Sequence, residues 1–120
     1  MPKPPDASVR RPLSLPVIHI LLALTDGDLH GYAIKQEVEA RTGGSIRLGP
    51  GTLYEAIQRL EEAGLIAERD APAAGNGQEA QRRYYSLTTR GWTTLQSELR
   101  KLGEIVDRAR GNPRLRKGMA

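Results

Sequence analysis

The stretch GTLYEAIQR at residues 51–59 gathers hydroxyl, carboxylate, amide and guanidinium groups on Thr52, Tyr54, Glu55, Gln58 and Arg59. Leu53, Ala56, Ile57 and Leu60 interleave with them at helical spacing, so this segment reads as a helix with one dry stripe packed inward. Its other stripe carries Gly51, Tyr54, Glu55 and Gln58, flanked by Thr52 and Arg59. Such a face makes reversible hydrogen bonds. Thr52 and Tyr54 can donate to phosphate oxygens, the N–H groups at a helix start attract anions, and the Gln58 amide has the fork that matches adenine N6 and N7. Glu55 either accepts from cytosine N4 or repels a nucleic acid, and the sequence leaves both open. Tyr54 also suits a half-buried helix aromatic, and Arg82 and Arg83 suit ordinary solvated strand-end charges.

Covalent chemistry has little to work with. There is no cysteine, hence no disulfide, thiolate nucleophile or thiolate metal site, and two histidines alone predict no metal. No Gly-x-Ser-x-Gly elbow occurs, and Gly49-Pro50-Gly51 is too short and Pro-interrupted for a phosphate-binding loop. Glu61 and Glu62 are adjacent on a helix surface without a cleft. No enzymatic activity and no cofactor are expected.

The formal charge is +4, but it is unevenly spread. Residues 1–12 carry +2, residues 13–64 carry −3, residues 65–91 carry +1 and residues 92–120 carry +4. The positive balance lives mainly in the ends, so whole-chain charge is weak support for a nucleic-acid partner. The segment MPKPPDASVRRP has no apolar region of the signal-peptide kind, and the longest apolar run, Pro16 to Leu24, is too short to span a bilayer. A cytoplasmic protein with no membrane partner is expected.

The elements that must position the polar face follow from the punctuation. After a disordered basic arm (1–12), Ser14 caps a nearly all-apolar helix to Thr25, and after the break DGDLHGY a second helix runs from Gly31 to Thr42, ending at Gly43-Gly44. His19 is expected as a hydrogen-bonded core or interface residue and His30 at the start of the second helix. SIRLGPG is an extended connector into the third helix. Leu65–Arg69 and 82–87 have strand character around a Gly/Ala/Pro-rich loop, and Thr88 or Thr89 starts a helix to about Arg110, with a flexible basic tail (111–120) after it. The fold class expected is mostly α with a small β-hairpin: a winged helix-turn-helix over 13–88 and a C-terminal dimerisation helix over 89–110.

GTLYEAIQRLEEAGLI, with HGYAIKQEVE upstream and RRYYSLTTRG downstream, resembles the PadR family of bacterial transcriptional regulators. Three motifs in order, with right-sized gaps, cover residues 13–110. The resemblance implies a homodimeric winged helix on a palindromic operator in double-stranded DNA, usually a repressor, released by a small molecule or another signal. It places the start of the reading helix at Gly51–Tyr54, Tyr84 and Tyr85 in the second wing strand, and Arg82 and Arg83 at its base. With one C-terminal helix the chain is similar to the short members. Lys35, Arg47, Thr52, Tyr54, Gln58, Arg59, Arg82 and Arg83 are the DNA-contact candidates. The competing reading is a winged helix used as a protein-interaction module, favoured by the −3 charge of residues 13–64.

Along the final helix Trp92, Leu95, Leu99, Leu102, Val106 and Ala109 alternate by three and four, with Ile105 beside them. That seam predicts a dimer interface with a second copy of the chain. The resemblance places an effector cavity there, between the copies, which Leu15, Ile18, His19, Leu99 and Leu102 would line. Some multidrug-sensing members carry a tryptophan in the middle of this helix, whereas here Trp92 stands at its start.

Overall fold

The computed structural model describes residues 12–70 and 83–119. Helix α1 (Leu15–Ala23) starts where Ser14 Oγ accepts from the Val17 N–H and Pro16 fits the first turn, and it buries Ile18, Ile20, Leu21 and Ala23. A short 3₁₀ turn, Leu24–Asp26, leads to strand β1 (Leu29–His30). Helix α2 (Gly31–Arg41) is capped by His30, whose Nδ1 accepts from the Ala33 N–H at 3.1 Å. Gly43 and Gly44, both at positive φ, turn the chain away from α2.

Helix α3 (Pro50–Glu62) buries Leu53, Ile57 and Leu60 against Ile20, Leu21, Ile34, Val38 and Leu65 in one continuous core. Strands β2 (Ile66–Arg69) and β3 (Tyr84–Leu87) pair antiparallel, and β1 joins the free side of β3. The break after the first helix therefore holds a third strand. Two residues have no alternation to betray them, and they pair only because β3 is brought alongside, with Leu29 opposite Tyr85 and His30 opposite Tyr84. As the central strand, β3 is covered on both faces. Tyr84 and Tyr85 are both buried, and the His30 ring stands edge-on to Tyr84 with centroids 5.4 Å apart. The second wing strand begins at Tyr84; Arg82 and the wing tip lie outside the described residues.

Helix α4 (Thr89–Arg110) is tied to the end of α3 by a knot of contacts. The Thr88 N–H donates to the Leu65 carbonyl at 3.1 Å, its Oγ1 donates to the Gly64 carbonyl at 2.6 Å, and the same Oγ1 accepts from the Gly91 N–H. A Cβ at Gly91 would run into the Leu65 carbonyl, so only glycine allows this approach. The stretch read as a frayed tail contains helix α5 (Pro113–Gly118), because the Asn112 side chain caps it and Pro113 fits its first position. In α1, His19 Nδ1 is buried without a hydrogen-bond partner among the described residues, in contrast to the bonded histidine expected.

Candidate nucleic-acid interface

Gly49 caps α3 without a side chain, and Pro50 at the first position has no N–H. The N–H groups of Gly51 and Thr52 therefore open the helix without intrahelical partners, on an exposed end. Beyond them the polar face divides between two flanks. Tyr54 turns toward α2 and lies on Gly31, where a Cβ would stand 2.9 Å from the Tyr54 hydroxyl oxygen. The ring packs on that backbone yet stays 53% exposed, so it is neither free-standing nor core.

Beside it opens a cleft of about 390 Å³ lined by His30, Gly31, Tyr32, Tyr54, Arg83 and Tyr85. It unites the start of α2, the first turn of α3 and the base of the wing. Tyr32, 56% exposed, is a contact candidate that sequence reasoning missed. The signal lay in HGYAIK: Tyr32 comes two residues before buried Ile34 on the opposite side of the helix. Burial pushes the Tyr85 hydroxyl above its ordinary pKa, and the carboxylates of Glu61 and Glu68 add to the shift.

Thr52 and Arg59 turn the other way, toward the start of α1. With Glu55 they edge an apolar groove of about 380 Å³ walled by Leu13, Val17, Ala56, Leu60 and Leu65. Gln58 lies between the flanks and donates to Glu62 Oε1 at 3.4 Å. The structure thus brings Tyr54 together with Arg83, and Thr52 together with Arg59.

Three of the candidate cations face carboxylates. Lys35 donates to Glu39 at 2.8 Å, Arg59 to Glu55 at 2.6 Å, and Arg83 stands 3.6 Å from Glu68. The hydrogen bond from Lys35 holds the Glu39 carboxyl below its usual range. Arg47 donates instead to the Gly44 carbonyl. For Lys35 or Arg83 to grip a phosphate, each has to give up its carboxylate partner.

The seam of α4 is used in two ways. Leu95 is 2% exposed in the protomer's own core, and Leu102 packs against that core. Trp92, Leu99, Ile105 and Val106 remain exposed. Of the residues expected around an effector cavity, Ile18 is buried in the core, Leu15 is exposed and His19 is half-buried. Among the described residues no cluster of three or more metal-ligating side chains occurs, and no helix is long and apolar enough to cross a membrane.

A family model, the transcriptional regulator PadR-like family, matches residues 20–97, from α1 through the first half of α4. The chain belongs to that family. PadR-like proteins are transcriptional regulators and not enzymes. The chain is 35% identical over 89 residues to a transcriptional regulator of Mycobacterium tuberculosis, covering 74% of this chain and 77% of that protein. It is 36% identical over 89 residues to an uncharacterised transposon-encoded protein of Streptomyces fradiae, of which the match spans only 23%. A PadR family transcription regulator from Clostridium difficile superposes with a TM-score of 0.66 at 26% identity, over 82% of this chain and 96% of that one. Bacillus subtilis PadR, solved with operator DNA, shares the fold with a TM-score of 0.60 at 23% identity, over 72% of this chain and 47% of that one. This PadR-like regulator thus has the winged helix expected from its three motifs, with β1 completing a three-stranded sheet.

Proposed function

We propose that this PadR-like regulator binds an operator in double-stranded DNA through α3, with the β2–β3 wing on the flanking backbone, and acts as a homodimeric repressor. The observation that carries the reading is the shared cleft. Tyr32 and Tyr54 on the helix-turn-helix and Arg83 at the wing base open onto one surface beside the free N–H groups of Gly51 and Thr52. Those are the donors a phosphate backbone needs, gathered from three elements that a groove-bound winged helix brings to DNA together. The likeness in fold to a PadR solved with operator DNA supports DNA as the partner. The acidic charge of residues 13–64 is what the protein-interaction reading rests on, and a DNA-binding surface on this segment has to work through directional contacts instead of net charge.

The homodimer is supported by the exposed Leu99, Ile105 and Val106, an apolar strip continuing from the buried Leu95. A palindromic operator then follows from two reading helices held about one DNA turn apart. A small apolar effector would sit between the copies near Leu15, Ile18, His19, Leu99 and Leu102, with the unpartnered His19 Nδ1 as a polar contact.

Mobility shift on the DNA upstream of the protein's own coding region, against random duplex at several salt concentrations, tests the reading. Tyr54→Ala is expected to weaken binding by about 1–3 kcal/mol, and Arg83→Ala to lower affinity for all sequences while reducing the salt slope by about one unit. Equal affinity for upstream and random duplex, with both variants behaving as wild type, would refute it.

A further inference from the structure

Helix α3 is an odd helix to lay in a DNA groove. It carries Glu55, Glu61 and Glu62 against a single cation, Arg59, a net charge of −2. Diffuse attraction to phosphates cannot draw such a helix in, so its contacts must be directional. The single cation is also not free to wander. Arg59 Nη2 donates to Glu55 Oε1 at 2.6 Å across one helical turn, and both side chains stand largely in solvent, 76% and 62% exposed.

An exposed pair of this kind adds only a few tenths of a kcal/mol to the helix. It has a second consequence on a reading face. The guanidinium is planar with five N–H donors, and one held by Glu55 fixes the plane while leaving four to point outward. A base edge that takes two parallel N–H donors is that of guanine, with O6 and N7 as adjacent acceptors in the major groove. Glu55 itself is repelled by phosphates, so the pair disfavours every docking in which Arg59 merely grips the backbone.

We propose that the Glu55–Arg59 pair is the specificity filter of this protein: Arg59 reads a guanine in each half-site, and Glu55 positions its guanidinium and rejects non-specific DNA. The proposal rests on the reading that α3 enters the major groove and adds which base it selects and how. Thr52, on the same flank, lies two turns nearer the helix start, where its hydroxyl would donate to a neighbouring phosphate.

The test is repeated selection of binding sites from a random duplex pool by the full chain, by Arg59→Lys and by Glu55→Gln. Wild type is expected to enrich a site with an invariant G·C pair in each half. Arg59→Lys keeps the charge and loses the fork, so preference at that pair should fall about 5- to 150-fold while random duplex binds within a factor of about two. Glu55→Gln should bind random duplex more tightly and its sites less selectively. If both variants enrich the wild-type site with wild-type preference, the filter is wrong while the DNA reading stands. If wild type enriches no site at all, the DNA reading falls and the filter with it.

Discussion

Helices α3 and α4 have the same kind of sequence, a stripe of leucine and isoleucine at alternating steps of three and four with charged residues behind it. In α3 the protomer fills the stripe: Leu53, Ile57 and Leu60 are all buried in the core shared with α1, α2 and the sheet. In α4 the protomer covers only part of the stripe: Leu95 is buried and Leu102 packs on the core, while Trp92, Leu99, Ile105 and Val106 stay exposed. A periodic apolar stripe therefore says that a helix needs a partner. It does not say which molecule supplies one.

The largest way to break the comparison is to cut the same side chain from both helices. Leu53→Ala is expected to cost about 2–5 kcal/mol in denaturant unfolding, because it opens a void in a closed core. Leu99→Ala should cost far less within one protomer, since its side chain already meets water. Comparable losses for both, independent of protein concentration, would erase the distinction.

Gly91→Ala attacks the joint between the two helices. The added methyl meets the Leu65 carbonyl, backbone against backbone, and unfolding free energy should fall by about 3 kcal/mol. Alanine at Gly103, in the same helix with nothing within 4 Å of its Cβ position, should instead stabilise by up to about 1 kcal/mol. Thermal melts that rank the two the other way would show that the approach at Leu65 can relax.

A sharper test of the bare strip is Leu99→Asp, which places a charge on a side chain that already meets water. It should turn a sedimenting dimer into a folded monomer at micromolar concentration, and wild type that already sediments as a monomer would remove the second copy from the scheme. The smallest expected effect is at Tyr85. Its hydroxyl titrates above the ordinary value of 10.0 in the folded chain, so the neutral form is favoured by folding. That contribution is complete below pH 10 and is lost as pH rises through the folded value. Tyr85→Phe should therefore flatten the decline in stability above about pH 10, and an unchanged alkaline limb would contradict the shift.

Much of this was legible from residue order. The three helices, the stripe of α3, the hairpin and the His30 helix start all follow from period, caps and turn residues, which are local. Strand β1 was not, since its two residues gain their pairing from β3, more than fifty positions away. Nor was the division of the α3 face, because a stripe on one helix gives no sign that Tyr54 will lean on Gly31 while Arg59 leans toward α1. The α4 seam reads as continuous in sequence; the placement of the core beside it decides that Leu95 and Leu102 are covered and Leu99 is not. The Lys35–Glu39 and Arg59–Glu55 pairs stand at i, i+4 spacing in the sequence, whereas Arg83 with Glu68 needs the strands side by side and Arg41 with Asp26 needs α2 beside the 3₁₀ turn.

The knot at Thr88 and Gly91 makes α4 a lever. Its 22 residues touch the Gly64–Leu65 turn at the foot of α3 near one end and pack on the core through Leu95 and Leu102, so any tilt of the helix about that contact also shifts this packing. At about 1.5 Å per residue, a tilt of roughly ten degrees about Gly91 sweeps the far end through about 5 Å. Because the contact is carbonyl against glycine, with no side chain between to cushion it, a tilt presses directly on the segment that joins α3 to β2.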